Sequence, residues 1–266
     1  MELLECDYDN QRGQMRKQIF VPFAYLQLPQ PTTMVKTYRN TAIFIFLILV
    51  GVQWGFFKPY TSQFPHFKDS TPTIHIHGML LMSWMLLLII QPLLIHYGKA
   101  NIHRKIGKVA FVLAPAIIVS MFLVGRGGYW RGLGNIPDQL NHTFMALDIR
   151  GLISFALFSI LAIYYRKKPD THMRYMIATG IIGIGPGVAR GLANTFGVEF
   201  GAALTTTDII DLVIVGFLLG YDIYKKKNYK PFLFIFIVFL IGAVLWQLRD
   251  TDFWQTFAKN YAAWFY

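Results

Sequence analysis

The sequence predicts an all-α integral membrane protein with seven transmembrane helices. Seven long apolar stretches run through the 266 residues, and most approach the ~20 residues that cross a hydrocarbon layer about 30 Å thick. Because lipid offers the backbone no hydrogen-bond partners, such stretches are expected to be helices. The composition agrees, since 15% of the residues are charged whereas a soluble domain carries about 25%. The predicted spans are 38–57, 75–97, 107–124, 144–165, 173–192, 208–224 and 232–248.

The basic residues predict how these spans are oriented. Seventeen of the 25 Lys and Arg residues lie in four segments, 12–39, 99–108, 166–174 and 225–230, while six lie in the intervening segments and two inside spans. By the positive-inside rule, the four basic segments and the N-terminus face the cytoplasm and the C-terminus lies outside. We expect a multi-pass protein of the bacterial inner membrane. Its expected partners are the lipid bilayer and other membrane proteins of a larger complex, and no nucleic acid, because topology accounts for the net charge of +11.

The chain divides into three predicted parts. Residues 1–36 form a cytoplasmic extension without a signal peptide, residues 37–249 the seven-helix membrane domain, and residues 250–266 an aromatic helix in the outer interface. The aromatic residues of this last part recur every four positions, which is the spacing of one helix face. The single cysteine, Cys6, excludes disulfides and cysteine-ligated zinc within the chain.

Three local patterns predict helix starts and interruptions. Thr71 followed by Pro72 predicts the start of the second span, with Thr71 as the cap and Pro72 in the first helical position. The Gly-rich segment 125–141 predicts a structured turn region or a lid after the third span. Pro186, which stands between two glycines, is expected to break or kink the fifth span just before Arg190.

Helical geometry predicts which polar side chains of the second span can meet. Residues two apart on a helix point about 200° apart, so His75 and His77 cannot bind one ion on a regular helix. We expect His77 to point into the bundle together with Trp84 and Gln91, because an indole N–H and an amide need partners in lipid.

Five ionisable residues are predicted to lie in the apolar layer or at its edge, where charge is costly and usually functional. They are Asp148, Arg150, Arg190, Asp208 and Asp211. Asp208 and Asp211 are expected to open the sixth span and share with Asp222 one inward face. Arg190 is expected to pair with one of the acids. Two interpretations stay open: a structural ion-pair network that ties helices together, and a solvated polar site that binds a ligand, metal or cofactor.

The histidines suggest two candidate cofactor sites. On the outer side, His75, His77 and His142 could bind a transition metal with Asp208 and Asp211, or His142 could hold haem b with one of the other two histidines. On the cytoplasmic side, His172 could hold a second haem with His96 or His103. The alternative is that these histidines are structural residues of helix ends. A zinc hydrolase of the seven-helix ceramidase type would need histidines on the last span and a retinal protein a lysine there, and neither is present.

One set of short motifs carries a resemblance. The run His75-Ile76-His77-Gly78, then Trp84, Gln91-Pro92 and the run from His103-Arg104 to Gly107, resembles an uncharacterised family of bacterial polytopic membrane proteins with an HxHG…W…Q…HRxxG pattern. The resemblance covers about residues 59–222 and implies a polar site that includes His172 and the aspartates of the sixth span. A fainter similarity to cytochrome b561-like bundles rests on histidines near helix ends.

The function predicted from the sequence is therefore a polar His/Asp/Arg site that faces the outer compartment of a membrane protein. Such a site could bind a metal or haem and be redox-active. The competing prediction is a non-enzymatic transport, sensing or assembly component whose buried charges are structural. Neither prediction assigns a catalytic residue.

Overall fold

The computed structural model describes residues 6–8, 15–17, 32–68 and 70–266. Two three-residue strands, Cys6–Tyr8 (β1) and Met15–Lys17 (β2), pair in antiparallel fashion in the N-terminal extension. The described residues from Thr32 onward are otherwise helices and their connections. The helices are α1 Thr32–Phe57, α2 Pro72–His96, α3 Ala100–Gly107, α4 Ala110–Gly132, α5 Asp138–Tyr164, α6 Pro169–Ile181, α7 Ile184–Phe196, α8 Phe200–Tyr224, α9 Lys230–Gln247 and α10 Asp252–Phe265.

Seven segments are long and apolar enough to cross a membrane: α1, α2, α4, α5, the α6–α7 pair, α8 and α9. The predicted all-α, seven-span architecture is therefore confirmed. Large apolar side chains such as Leu47 on α1 and Phe217 on α8 are exposed on the outside of the bundle, at 62% and 73%. In water such a surface would be unfavourable, so a lipid bilayer is the environment that the bundle fits.

Short connections between successive spans make neighbouring spans antiparallel, so the bundle has two ends. The end formed by α3 and the connections 165–168 and 225–229 is called the basic end. The opposite end, where α1, α4, α7 and α9 finish and α10 packs, is called the cavity end. These two names describe positions in the helix bundle and do not state which side of a membrane each end faces.

The start of α2 follows the predicted pattern. The Thr71 side chain accepts a hydrogen bond from the backbone N–H of Ile74 at 3.4 Å, and Pro72 occupies the first turn. The start of α8 uses a carboxylate instead. Glu199 accepts hydrogen bonds from the N–H groups of Gly201 and Ala202 at 2.8 and 2.7 Å, which satisfies two unpaired donors of the first turn. These two hydrogen bonds stabilise the ionised form and lower the pKa of Glu199.

The third span differs from its prediction. The helix was expected to end at residue 124 and give way to a turn region or lid, but α4 continues to Gly132 and α5 begins at Asp138. The glycines here allow close packing rather than a turn. A Cβ on Gly132 would lie 2.3 Å from the Asn141 side-chain oxygen, so only glycine lets α5 approach α4 at this point. Asn141 then donates to the Tyr129 carbonyl at 3.0 Å.

The fifth span is interrupted, as predicted, but one turn before Pro186. The helix stops at Ile181 and restarts at Ile184, which places Pro186 in the first turn of α7, where its missing N–H costs no helical hydrogen bond. Gly187 faces α1, and a Cβ on Gly55 would lie 1.7 Å from the Gly187 carbonyl oxygen. Two glycines thus let α1 and α7 touch through their backbones, as small residues do between membrane helices.

The largest buried cluster draws residues from all seven spans. Trp84 is 1% exposed, and its indole N–H donates to the Thr179 hydroxyl at 3.0 Å. Gln91, on the same face of α2, is also buried near the basic end. With its amide oriented to satisfy both atoms, it accepts from the Gly107 N–H at 3.1 Å and donates to the His103 carbonyl at 3.2 Å. The expectation that Trp84 and Gln91 face the bundle is confirmed.

The predicted aromatic helix at the end of the chain is α10. Its buried face consists of Trp254, Ala258 and Ala262, which pack against the cavity end of the bundle, while Phe253 and Trp264 are exposed. The Trp254 indole N–H donates to the His142 carbonyl at 2.9 Å and so fixes α10 to α5.

Candidate functional site: buried charges and a polar cavity

Seven charged side chains inside the spans form three groups. They are Arg174 with Asp222, Arg150 with Asp208 and Asp211, and Asp148 with Arg190. The first two groups each contain an ion pair, and we call Arg174–Asp222 and Arg150–Asp208 the closed pairs. Asp148 and Arg190 face a common cavity, and within the described part of the chain no N–O distance between them is 4.0 Å or shorter. We call these two residues the open pair.

The closed pair near the basic end is almost sealed. The Nε atom of Arg174 lies 2.6 Å from the Asp222 carboxylate, and both side chains are 4% exposed. A second guanidinium nitrogen donates to the Asp170 carbonyl at 2.6 Å, and the group stacks over the Phe232 ring at 5.6 Å. The sequence argument assigned Arg174 to a cytoplasmic segment and missed this pair. Asp222, on the inward face of the sixth span, was the available signal, because a buried carboxylate needs a cation.

The other closed pair connects three helices. Arg150 on α5 donates to the Asp208 carboxylate on α8 at 2.8 Å and to the Gly242 carbonyl on α9 at 3.2 Å. The guanidinium also lies 5.5 Å from the centre of the Trp246 ring. The two charged side chains are 12% and 10% exposed. The prediction that Asp208, Asp211 and Asp222 share one inward face is confirmed, since all three are buried.

The predicted ion pair of Arg190 is wrong. No carboxylate in the described ranges lies within 4.0 Å of its guanidinium. Arg190 instead donates to the Pro186 carbonyl at 2.7 Å, one turn earlier on α7, and stacks over two rings, Phe56 at 4.9 Å and Phe200 at 5.6 Å. Asp208, one of the acids that Arg190 was expected to bind, is instead paired with Arg150.

The depth predicted for Asp208 and Asp211 is also wrong. They were expected to open the sixth span, but α8 begins at Phe200, so they lie two to three turns inside it. The run Thr205–Thr207 hid the start of the helix from an argument based on apolar length. Each of these hydroxyls donates to a backbone carbonyl three or four residues earlier, which makes threonine compatible with a buried helix.

The open pair lines a cavity of about 290 Å³ between α4, α5, α7 and α8 at the cavity end. Asp148 and Arg190 provide the opposite charges, and Tyr129, Asn141 and Arg131 provide further polar groups. The other lining residues are mostly apolar: Val124, Gly128, Ile136, Phe144, Met145, Leu147 and Phe200. This combination of apolar walls with a few converging polar groups is typical of a small-molecule site.

Gly125 leaves space for the side chains of Tyr266 and Asp148 to lie next to α4. A Cβ on Gly125 would lie 3.0 Å from the Tyr266 hydroxyl and 3.3 Å from a carboxylate oxygen of Asp148. Burial, followed by the negative charge of Asp148, raises the pKa of Tyr266. The backbone carbonyl of Tyr266 accepts from Trp130 at 2.9 Å and from Arg126 at 3.2 Å, which fixes α10 against α4. No pattern in the sequence predicts that Tyr266 lies beside a buried acid.

A second, more polar cavity of about 470 Å³ lies beside the first one. Tyr129 lines both cavities, and its ring stacks on His142 with 6.2 Å between ring centres. His142 also hydrogen-bonds the Gln255 side chain at 3.2 Å. The predicted ligand His142 therefore belongs to the second cavity, on the other side of Tyr129 from the open pair.

The two histidines at the start of α2 diverge, as predicted. His77 Nδ1 lies 2.9 Å from the Ser120 hydroxyl on α4, inside the bundle. His75 Nδ1 lies 2.6 Å from the Tyr60 hydroxyl in the connection after α1, and its ring packs against Phe67. The directions follow from a regular helix that begins at Pro72.

These positions correct the outer metal prediction. No group of three His, Cys, Asp or Glu side chains in the described ranges is arranged to hold a metal ion, so His75, His77, His142, Asp208 and Asp211 do not converge. The contacts of His77 and His142 on α4, at Ser120 and Tyr129, are nine residues apart, which is about 13 Å along a helix. His77 and His142 therefore contact different parts of α4, and the haem site of the outer histidines stays a prediction.

The histidines at the basic end are arranged differently. His103 Nδ1 lies 3.3 Å from the Gln91 carbonyl, and His172 Nδ1 lies 2.8 Å from the Ala162 carbonyl. Burial lowers the pKa of His103, the Gln91 carbonyl opposes this shift, and the nearby His172 and Arg104 add to it. The ring of His96 packs edge-to-face against Tyr97 with 4.8 Å between ring centres. His103 and His172 are thus the predicted pair whose members lie close together.

The comparisons with known proteins add no family or fold relative. No protein-family model matches the chain, and no curated protein or solved structure matches it either. The buried charges and the cavity are therefore the features that indicate a function.

Proposed function

We propose that this protein is a membrane component that binds a small polar solute in the cavity lined by Asp148 and Arg190, for transport or sensing. The observation that carries the proposal is the open pair itself. Two opposite charges face one cavity in the membrane domain without an ion pair between them. Charges in such a place are costly and are usually paired with each other or used for a ligand.

The contrast with the closed pairs supports a ligand at this place. Arg150 and Arg174 each bind a carboxylate at 2.8 Å or less, which shows that this bundle can bring charged partners together across helices. Asp148 accepts no hydrogen bond from the described residues, and Arg190 uses its own helix and two aromatic rings. The open pair therefore keeps unused hydrogen-bonding capacity that a bound solute could take up.

The cavity limits the size and chemistry of the solute. At about 30 Å³ for each water molecule in the liquid, 290 Å³ corresponds to roughly ten waters, so the solute has about ten non-hydrogen atoms. A cationic group of the solute would bind the Asp148 carboxylate, and an anionic group would bind the Arg190 guanidinium. Phe144 and Phe200 would cover its apolar part. A zwitterion of the size of an amino acid combines these properties.

The distribution of basic residues supports an outward-facing cavity. The cavity lies at the end of the bundle opposite to the segments 99–108, 166–174 and 225–230, which carry most of the Lys and Arg residues that follow the first span. By the positive-inside rule the cavity end then faces the outer compartment of a bacterial inner membrane. Reporter fusions to these three basic segments test the orientation, and an outside location of any of them would contradict it.

The proposal is tested by ligand-dependent thermal stabilisation of the purified protein with a panel of amino acids and related zwitterions, together with the corresponding single cations and anions. A zwitterion is expected to raise the Tm, whereas Asp148→Asn and Arg190→Gln are each expected to abolish that rise. Asp138→Asn is the matched control, because Asp138 lines the neighbouring cavity only. Equal stabilisation of the wild-type protein and both cavity variants would contradict the proposal.

A second candidate function uses His103 and His172, which we also propose as a haem or metal site near the basic end. The supporting observation is that the Nδ1 atom of His172 faces a backbone carbonyl, an arrangement that is frequent among metal-binding histidines because it directs Nε2 to the metal, and that His103 lies nearby. An absorption spectrum and elemental analysis of the purified protein test this site. A Soret band or one stoichiometric transition metal that is lost in His172→Ala supports it, and the absence of both in the wild-type protein contradicts it.

A further inference from the structure

Asp211 is a buried carboxyl group that belongs neither to the closed pairs nor to the open pair. It lies near the midpoint of the 25-residue helix α8 and is 4% exposed. Its Oδ1 atom is fully buried and has no hydrogen-bond partner among the described residues. Since buried polar atoms are almost always hydrogen-bonded, an orphaned carboxylate oxygen in the middle of a span requires an explanation.

The immediate neighbours of Asp211 are one acid and one base. Asp208 precedes it by three residues on the same face of α8, so their Cβ atoms are about 5–6 Å apart. Arg150 lies on the other side of Asp208, where its hydrogen bonds go to the Asp208 carboxylate and the Gly242 carbonyl. Two carboxyl groups therefore share the field of one guanidinium, and Asp208 holds the contact.

The other elements around α8 supply no further charge. Helix α9 has no ionisable residue after Lys230, which lies at the basic end. The ionisable residue of α7 is Arg190, and it stacks on Phe56 and Phe200 at the cavity. On α5, Asp148 faces the cavity. If Asp208 and Asp211 were both ionised beside Arg150, this part of the apolar layer would carry an uncompensated negative charge, which is strongly unfavourable.

A metal ion is a poor explanation for the orphaned oxygen. In the ranges that the structure describes, no three potential metal ligands from His, Cys, Asp and Glu come together. The carbonyl groups of α8 are used within a continuous helix from Phe200 to Tyr224, so they are not free to bind a cation. The guanidinium of Arg150 would repel one. A proton needs no ligand set and removes the charge directly.

We propose that Asp208 and Asp211 form a proton-binding site that holds one proton, with Asp211 as the neutral carboxylic acid and Asp208 as the carboxylate bound to Arg150. The site binds and releases a single proton. When the proton leaves, Asp211 becomes a carboxylate that competes with Asp208 for Arg150. Protonation thereby determines which aspartate Arg150 binds, and with it the contact between α5 and α8. This proton-binding site is independent of what the cavity binds.

Infrared spectroscopy of the purified full-length protein at neutral pH tests the proposal. The wild-type spectrum is expected to contain the C=O stretch of a protonated carboxylic acid, and this band is expected to shift when aspartate carries a heavy carbon isotope in its carboxyl group. Asp211→Asn, which has the shape of the neutral acid, is expected to remove the band. Asp148→Asn is the matched control and is expected to retain it, because Asp148 is the other membrane carboxyl group without an arginine within 4.0 Å in the described chain.

Three outcomes would overturn the proposal. The first is a wild-type spectrum without an isotope-sensitive carboxylic acid band, which would show that Asp211 is ionised. The second is a band that disappears in Asp148→Asn and persists in Asp211→Asn. The third is a Tm of the wild-type protein that rises with sodium ion concentration and loses this dependence in Asp211→Asn, which would assign a cation to the site. A wild-type spectrum without the band overturns the proposal even if Asp211→Asn does not fold, and a band that persists in Asp148→Asn supports it.

Discussion

The closed pair near the basic end and the open pair at the cavity end use the same two kinds of side chain in opposite ways. Arg174 and Asp222 are each 4% exposed and lie 2.6 Å apart, with the remaining guanidinium donors directed to a backbone carbonyl. Asp148 and Arg190 border a 290 Å³ cavity and have no mutual ion pair among the described contacts. In the closed pair, each charge is neutralised by its partner within the protein. In the open pair, both charges face a cavity that a solute can fill.

The contrast between the closed and open pairs shows that a buried charge is not by itself a sign of function. Both arrangements place ionisable groups inside spans, so the rule that charge in the apolar layer is usually functional does not separate them. What separates the two arrangements is whether each charged side chain forms an ion pair within the protein. A closed pair is expected to affect stability when one member is removed, because the other member is left buried and unpaired. Removing one member of an open pair is expected to weaken the binding of a solute in the cavity.

The largest effect on stability is predicted for Asp222→Asn. The substitution leaves the Arg174 guanidinium buried without its carboxylate, and breaking a buried pair in this way typically costs about 3–5 kcal/mol. The free energy of unfolding in mixed detergent micelles measures it. The double substitution Arg174→Met with Asp222→Asn is expected to recover most of the loss, since it removes the unpaired charge as well. A double variant as unstable as the single one would show that the pair acts through more than its charges.

A smaller loss is predicted for Asp208→Asn, about 1.5–3 kcal/mol, which is the usual range for a hydrogen bond to a charged group. Arg150 keeps the Gly242 carbonyl and the Trp246 ring in this variant, and Asp211, one turn further along α8, is the acid expected to replace Asp208. The same unfolding measurement checks it. If Asp208→Asn cost as much as Asp222→Asn, Asp211 would not be able to replace Asp208 as the partner of Arg150.

The sequence was sufficient to predict the spans and the inward face of α8. Apolar length identifies spans because a helix is the only way to satisfy the backbone in lipid, and the 3.6-residue period places Asp208, Asp211 and Asp222 on one face. The same period predicted the divergence of His75 and His77. These results depend on the geometry of one helix at a time, which the sequence specifies.

The pairing of charges could not be predicted, because it depends on how the helices pack. Arg190 was expected to bind an acid, but Asp208 is bound to Arg150, and nothing in the chain order indicates which arginine lies closer. The length of α4 was missed for a related reason. Gly125 and Gly132 suggest a turn when read locally, whereas in the fold they make room for Asp148 and Asn141 of the neighbouring helix.

The open pair is predicted to contribute little to stability and much to binding. Asp148→Asn is expected to change the free energy of unfolding by less than about 1 kcal/mol, because it breaks neither an ion pair nor a hydrogen bond among the described residues. Arg190→Gln is expected to cost no more than Asp208→Asn, because it loses the Pro186 hydrogen bond and two ring contacts but no ion pair. Each is expected to weaken the bound zwitterion by about 10- to 100-fold, as loss of a charged hydrogen bond does. Equilibrium binding to the detergent-solubilised protein checks this.

Asp250→Asn provides the control for that measurement, because Asp250 lines the second cavity beside His142. Unchanged affinity is expected in this variant. Stability losses of several kcal/mol in both open-pair variants would instead show that Asp148 and Arg190 interact strongly in the folded protein, and the distinction between closed and open pairs would not hold.

The smallest effect is predicted for Glu199, whose carboxylate is held by backbone N–H groups rather than by an arginine. Glu199→Gln is expected to reduce the free energy of unfolding by about 0.5 kcal/mol, the lower end of the range for helix caps, because the side chain is exposed to solvent. The hydrogen bonds to Gly201 and Ala202 lower the pKa of Glu199 in the folded state. Its contribution is therefore present in full above the unfolded pKa of about 4.3 and is lost as the pH falls through the lower, folded value.

The difference in Tm between the wild-type protein and Glu199→Gln, measured from neutral to acidic pH, checks this prediction. It should be small and constant at neutral pH and should disappear in acid. Asp252→Asn, a solvent-exposed change at the start of α10, is the matched control for a carboxylate in a first helical turn, since Thr251 rather than Asp252 caps that helix. A Glu199→Gln effect as large as that of Asp222→Asn would mean that an exposed cap stabilises this bundle as much as a sealed ion pair does, contrary to the screening of exposed charge by water.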